Sequence, residues 1–279
     1  MIDIVTVVFQ DELSVLKLQA QSIDLYCQDI GVQNIHVIVN DDPSVMSQID
    51  FNWWGSMSHL VKLTHRDYFD CTFVENGWVS QQALKLLGAA MCENPWSMIL
   101  DAKTIFARPL LLSELFDQKN RLNVGTLQIY SVFEPSRKII NQLFNIDLQL
   151  QAGPGGVPFF FHVQPVREMI KDIELRVGEK FAEWFQAQGM LTEFMLYSGW
   201  LQYCCGLDSY YSKRNKFSII NLCHSEVAMA DIKLANMHQS QVLTVSVHRR
   251  AWDQFSAEQK QTYRDMLISK GISSAQEYV

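Results

Sequence analysis

Trp96-Ser97-Met98-Ile99-Leu100-Asp101-Ala102-Lys103 is the stretch on which the fold turns. A short, mostly apolar run cut off at once by charge reads as a strand buried on both faces that stops at the sheet edge. Upstream, Val79 to Met91 repeats apolar residues at helical spacing, and Leu60-Val61-Lys62-Leu63 reads as another strand. Further back, Ile35-His36-Val37-Ile38-Val39 is a strand that ends abruptly at Asn40-Asp41-Asp42-Pro43, and Ile4 to Phe9 is a near-continuous apolar, β-branched run. Between these two, Leu13, Leu16, Ala20 and Ile23 place an amphipathic helix over Asp11 to Cys27. Strands alternating with helices imply right-handed crossovers and a parallel sheet, so the class is α/β. The ligand crevice of such a sheet lies at the carboxyl ends of its strands, which puts the polar residues just after each strand first in line for chemistry.

Downstream the pattern is less regular. Leu122 to Tyr130 reads as a strand, Gly153-Pro154-Gly155-Gly156 as a mobile loop and Val157 to Phe161 as a short strand. Val166 to Tyr203 holds two or three helices, Lys216 to Leu222 and Gln241 to Val247 are strands, and Ala257 to Ser269 is a closing helix. No repeat, linker or low-complexity tract divides the chain. The expectation is one domain over 1–279, with a regular first half, 1–120, capped by a more irregular second half, 121–279.

The composition sets limits. With 279 residues, 48% of them hydrophobic and 19% charged, the chain is long enough to bury its own core without a disulfide or metal. A net charge of −7 and the lack of any basic block argue against nucleic acid as a partner, since phosphate-backbone binding needs clustered positive charge. No apolar run approaches the roughly 20 residues that span a bilayer. The N-terminus reads as a first strand, with no cationic leader. The six cysteines form no C-x-x-C pair and Cys204 and Cys205 are adjacent, which suggests reduced, mostly buried thiols and a cytoplasmic location. Peripheral contact with the inner face of a membrane stays open. No G-x-x-x-x-G-K-[ST] or G-x-G-x-x-G motif occurs, which disfavours ATPase and dinucleotide roles.

The residues from Met98 to Pro109 carry the strongest local signal. An acid directly after an apolar strand is either a functional carboxylate facing the crevice or a cap of the next turn. The segment resembles the D-x-D element of GT-A glycosyltransferases, the nucleotide-sugar-dependent enzymes. More narrowly it resembles a bacterial group whose strand reads Leu-Asp-x-Asp-Thr-x-Phe and then Arg-Pro. Gly77 to Leu86 is similar to that group's G-W-x-x-Q-Q-x-x-K-L helix, and Thr192 to Tyr197 to its S/T-E-F-x-L-Y segment. The N-terminal strand and the Asn40-Asp41-Asp42 turn fit the nucleotide end of the same sheet.

The resemblance implies a GT-A (Rossmann-like), mostly parallel sheet flanked by helices, and transfer of a sugar from a nucleotide-sugar donor to a hydroxyl of a bacterial glycan or glycolipid. It places Thr6, Asn40 and Asp41 at the nucleoside, although Asn40 to Pro43 also reads as an Asx turn. Lys85, three residues from Gln82 on one helix face, would contact the diphosphate or Asp101. Glu193 is the candidate base, at the start of an aromatic helix where a glutamate also suits the macrodipole; Asp208 is a weaker rival. His248 and Arg249, after the Val242–Val247 strand, would close over the diphosphate or form a basic surface turn. His162 and His224 stay undecided, and Trp53-Trp54 would stack on a sugar or anchor core.

One departure matters. The second acid of D-x-D is Lys103 here, and an ammonium repels the manganese or magnesium ion that the family's second acid helps to hold. Lys103 therefore disfavours a manganese or magnesium ion and no cofactor is expected; either Lys103 faces the leaving phosphate beside Asp101 in a metal-independent enzyme, or activity has been lost. The alternative from another class is a catalytically silent sugar-nucleotide-binding or scaffold protein on the same fold.

Overall fold

The computed structural model describes residues 1–153, 157–212 and 217–278. In chain order the first part comprises β1 (Ile2–Val8), α1 (Leu13–Tyr26), β2 (Val32–Val39), β3 (Val61–His65), α2 (Gly77–Met91), β4 (Trp96–Asp101), β5 (Ile105–Phe106) and the short α3 (Leu112–Leu115). There follow β6 (Thr126–Gln128), α4 (Glu134–Phe144), β7 (Leu150–Ala152), β8 (Phe159–His162), α5 (Val163–Val177), α6 (Phe181–Ala187) and α7 (Glu193–Cys204). The last elements are β9 (Ser218–Leu222), α8 (Ala230–Met237), β10 (Val242–Val247), the single turn α9 (Arg249–Trp252) and α10 (Ala257–Ser269).

The main sheet has the order β3-β2-β1-β4-β8. Its first four strands run parallel, and β8 joins antiparallel with Ile99 opposite Phe159. All seven residues of β1 are buried, because helices cover both faces. A second sheet, β5-β10-β9, lies over a smaller apolar cluster that includes Trp252, Tyr263 and Leu267. The two halves of the chain interlock: β8 from the second half extends the first sheet, and β5 from the first half pairs with β10.

Gly88 governs how closely α2 approaches the sheet. A Cβ at this position would lie 2.6 Å from the Ile38 Cδ1 and 2.8 Å from the Val5 Cγ1. The bare glycine lets the helix sit on β1 and β2, and Lys85, one turn earlier, is carried to the end of β4 with it.

Three readings need correction. Leu122 to Tyr130 is not one strand: Thr126–Gln128 pairs with β7 and Leu122 makes isolated bridges to Phe116 and Tyr211, because Gly125 takes a left-handed φ of 75° and turns the chain between them. The strand expected from Val157 starts at Phe159, since Pro158 has no N–H to give a ladder. The thiols are not mostly buried either: Cys27 and Cys92 are, whereas Cys204 on the last residue of α7, Cys205 just beyond it and Cys223 just after β9 are exposed. The expected loop at 153–156 lies, beyond Gly153, outside the described residues, as does Lys216 at the start of the expected strand. No helix among the described residues is long and apolar enough to cross a membrane.

Candidate active site

The carboxyl ends of β1, β2, β4 and β10 open into a cleft of about 680 Å³, whose lining includes Asp41, Asp101, Lys103, His248 and Arg249. A smaller hollow of about 340 Å³ adjoins it, with Phe133, Gln151, Glu193, Phe194 and Asn221 among its lining residues. Trp78, Gln82, Lys85, Asp101, Lys103 and His248 face both, so they form the wall between the hollows.

That wall is an ion-pair chain. Lys85 donates from Nζ to Asp101 Oδ1 at 2.6 Å and to Glu193 Oε1 at 3.1 Å, and Lys103 donates to Asp101 Oδ2 at 2.8 Å. Gln82, one turn before Lys85 on α2, donates to Glu193 with its amide nitrogen turned toward the carboxylate. Lys85 and Glu193 are 3% and 2% exposed, so neither charge is balanced by water. α1 holds the turn from beneath: Gln19 Nε2 donates to the Asp101 carbonyl at 2.6 Å and to that of Thr104 at 3.1 Å, and Ser22 Oγ accepts from the Phe106 N–H at 3.0 Å.

The two carboxylates of the chain are driven apart. Burial works against ionised Asp101, but Lys103 and then Lys85 hold it well below the usual carboxylate range. At Glu193 burial dominates and raises the pKa, with Lys85 opposing. The charged form of Lys85 is favoured despite burial, by Asp101 and then Glu193. One acid is thus held toward its ionised form, and the other takes a proton more readily.

The remaining candidates divide. Asp41 lines the larger hollow, with Oδ2 accepting from the Gln10 N–H at 2.9 Å. Thr6 does not reach it: the residue lies within β1, opposite Val37 and Leu100, fully buried. Asn40 also turns inward, donating to Ser80 Oγ at 2.8 Å and accepting from Arg66 at 3.2 Å, which fastens the end of β2 to α2. Asp42 accepts from the Ser44 N–H at 2.9 Å, so the Asx turn is real and is made by Asp42. His248 caps α9 by accepting from the Arg250 N–H at 3.2 Å, and burial, then Lys103, lowers its pKa. Arg249 is exposed and pairs with Asp11.

Asp208 is exposed on a turn away from both hollows, and His162 packs on Trp96 at the opposite end of β4 from Asp101. Trp54 is buried in the core beside Trp53. Asp3, His36 and Cys92 place ligand-type atoms within 4.8 Å of one another at the far edge of the sheet. Asp3 already accepts from the Asn34 and Asn94 side chains and from the Glu93 and Asn94 N–H groups, which makes it a clamp on the α2–β4 turn.

A family of unknown function, DUF6492, matches residues 6–264. The chain belongs to the DUF6492 family. No curated protein matches it in sequence. Among solved structures it is similar to the galactosyltransferase LgtC in complex with donor and acceptor sugar analogues, at 12% identity and a TM-score of 0.50, over 96% of this chain and 95% of that one. An active-site mutant of LgtC gives the same figures. The glycosyltransferase GlyE of Streptococcus pneumoniae TIGR4 is 12% identical, with a TM-score of 0.46, over 99% of this chain and 62% of that one. At such identities the LgtC likeness is one of fold: this DUF6492 chain has the parallel-rich α/β sheet flanked by helices of GT-A glycosyltransferases.

Two site residues escaped the sequence reading. Gln19 is one; a glutamine on the same helix face as Leu16 and Ile23 was the available signal. Glu12 is the other: it lines the larger hollow, its Oε2 is buried without a partner, and burial raises its pKa while Lys103 opposes. It ends the turn between β1 and α1, at the carboxyl end of the strand, where side chains reach the crevice.

Proposed function

We propose that this protein transfers a sugar from a nucleotide-sugar donor to a hydroxyl of a bacterial glycan or glycolipid, without a divalent metal. The observation that carries the reading is Asp101, both of whose oxygens accept from ammonium groups, on the wall between two hollows. A divalent cation needs those oxygens and tolerates no adjacent ammonium, so these residues do not fit one. Lys103 and Lys85 offer instead two fixed positive charges to a leaving diphosphate.

The nucleoside lies in the larger hollow beside Asp41, and the acceptor in the smaller one, where Glu193 and Asp101 are the lining carboxylates among the described residues. Asp101 is too weak a base. Glu193, with its raised pKa, takes the proton of the attacking hydroxyl as the glycosidic C–O bond breaks. Its neutralisation loosens the pair with Lys85, whose charge is then available to the diphosphate at the moment the bond breaks. The free cysteines support a reducing, cytoplasmic place of action.

The test is turnover of a panel of nucleotide sugars, with and without EDTA. Metal-free turnover supports the proposal. A second reading, a silent binding module, is favoured by the engagement of Glu193 with Lys85 and Gln82; binding of donor without turnover would establish it.

A further inference from the structure

Cys204 and Cys205 are sequence neighbours, and neighbouring residues of a helix do not face each other. Here the helix ends between them. Cys204 is the last residue of α7, whereas Cys205 has left it at φ −152° and ψ −8°. Gly206 follows at φ 82°, a left-handed conformation that leads the chain away. The break swings the second side chain back over the first, and the two Sγ atoms lie 3.3 Å apart. Both residues are exposed. Their other neighbours are weak acceptors at long range, the Leu201 carbonyl at 3.9 Å from Cys204 Sγ and the Gly206 carbonyl at 3.8 Å from Cys205 Sγ. Nothing in the proposed transfer reaction uses them.

We propose that Cys204 and Cys205 form a reversible oxidation site that closes to a vicinal disulfide in response to hydrogen peroxide. The Cys205 sulfur attacks the peroxide oxygen; the O–O bond breaks, one water leaves and a sulfenic acid remains. The Cys204 sulfur then displaces the sulfenic hydroxyl, which leaves with the Cys204 proton as a second water, and the S–S bond forms. Two sulfurs are each oxidised by one electron, and one peroxide is reduced by two. The order follows from Cys204, whose thiol is pushed up to about 12 by partial burial and by Cys205 beside it, which suits it to the resolving role.

Adjacent Cα atoms are about 3.8 Å apart across a trans peptide, closer than the roughly 4.4–6.8 Å usual for disulfides. The ring is therefore strained and exposed, the kind of disulfide that mild thiols reopen. It would stiffen the turn at Leu207–Ser209, which is docked by Arg121 donating to the Asp208 carbonyl at 3.2 Å and by the Leu122 N–H donating to that of Tyr210 at 2.8 Å.

The experiment treats the reduced full chain with one equivalent of hydrogen peroxide and follows intact mass and non-reduced peptide maps. The expected result is loss of two hydrogens, located to the peptide holding both cysteines and reversed by glutathione. Phenylarsine oxide, which bridges paired thiols, should bind once and block the change. Cys204→Ser and Cys205→Ser should each abolish both effects, and Cys223→Ser, removing another exposed thiol, should abolish neither. Sulfinic acid at either cysteine with no internal disulfide, a disulfide between two chains, or arsenical binding that survives Cys205→Ser would overturn the proposal. Mapping of the wild-type chain decides the matter even if a variant folds poorly.

Discussion

Lys85 and Glu193 stand 108 residues apart in the sequence and meet at 3.1 Å in the interior, with the Lys85 ammonium also 2.6 Å from Asp101. One cation thus joins the acid at the end of β4 to the acid at the start of α7. In an interior site a charge shared between two carboxylates is held by geometry alone, so removing any member leaves a buried imbalance.

Lys85→Met keeps much of the side-chain volume and leaves two carboxylates facing each other. Breaking a buried pair in this way costs about 3–5 kcal/mol. Urea denaturation should show that loss, and the double variant Lys85→Met/Glu193→Gln should recover part of it, because one of the abandoned charges has gone. Equal stability of Lys85→Met and wild type would remove the chain of ion pairs from the account.

Glu193→Gln should lower kcat about 10²–10⁴-fold with donor binding retained, the usual worth of a general base. The pH profile gives the sign. Glu193 must be ionised to accept a proton, so activity falls as pH drops, on a limb lying above the ordinary carboxylate value of 4.5 because burial raises the group. That limb should vanish in the variant. A wild-type profile flat down to the ordinary carboxylate range would assign the base elsewhere.

Lys103→Ala should abolish turnover that EDTA leaves untouched in the wild type. Conversely, Lys103→Asp puts a second acid beside Asp101 and should make any remaining turnover respond to manganese. Wild-type turnover abolished by EDTA and restored by manganese would contradict the assignment of Lys103 to the diphosphate.

Asp41→Ala should raise the KM for donor more than it lowers kcat, since Asp41 lies in the larger hollow away from Glu193. Calorimetric titration with the nucleoside diphosphate alone provides the check. An unchanged KM with a collapsed kcat would place the nucleoside elsewhere.

Much of this architecture was legible in the chain itself. The apolar run Trp96–Leu100, broken by Asp101, and the three- and four-residue spacing of Leu13, Leu16, Ala20 and Ile23 report burial, and burial imposes a period on a strand or helix wherever it sits. The second half was harder to read. β8 joins the main sheet because Phe159 to Phe161 can pair with β4, a contact between segments about sixty residues apart that no local period records.

The same division runs through the site. Position after a strand singled out Asp41, Asp101 and His248, since strand ends face the crevice in any parallel sheet. It could not distinguish Asp41 in the cleft from Asn40 beside it, because which neighbour turns inward depends on Ser80 and Arg66, brought there from other elements. The Lys85–Asp101 contact was one of the two expected from the resemblance, but nothing local foretold that Lys85 also pairs with Glu193 while Lys103 takes the other Asp101 oxygen. Residue types and local spacing are properties of the chain. The pairing of charges, and with it which acid stays ionised and which can take a proton, belongs to the packed interior, where low dielectric and fixed distances set the energies.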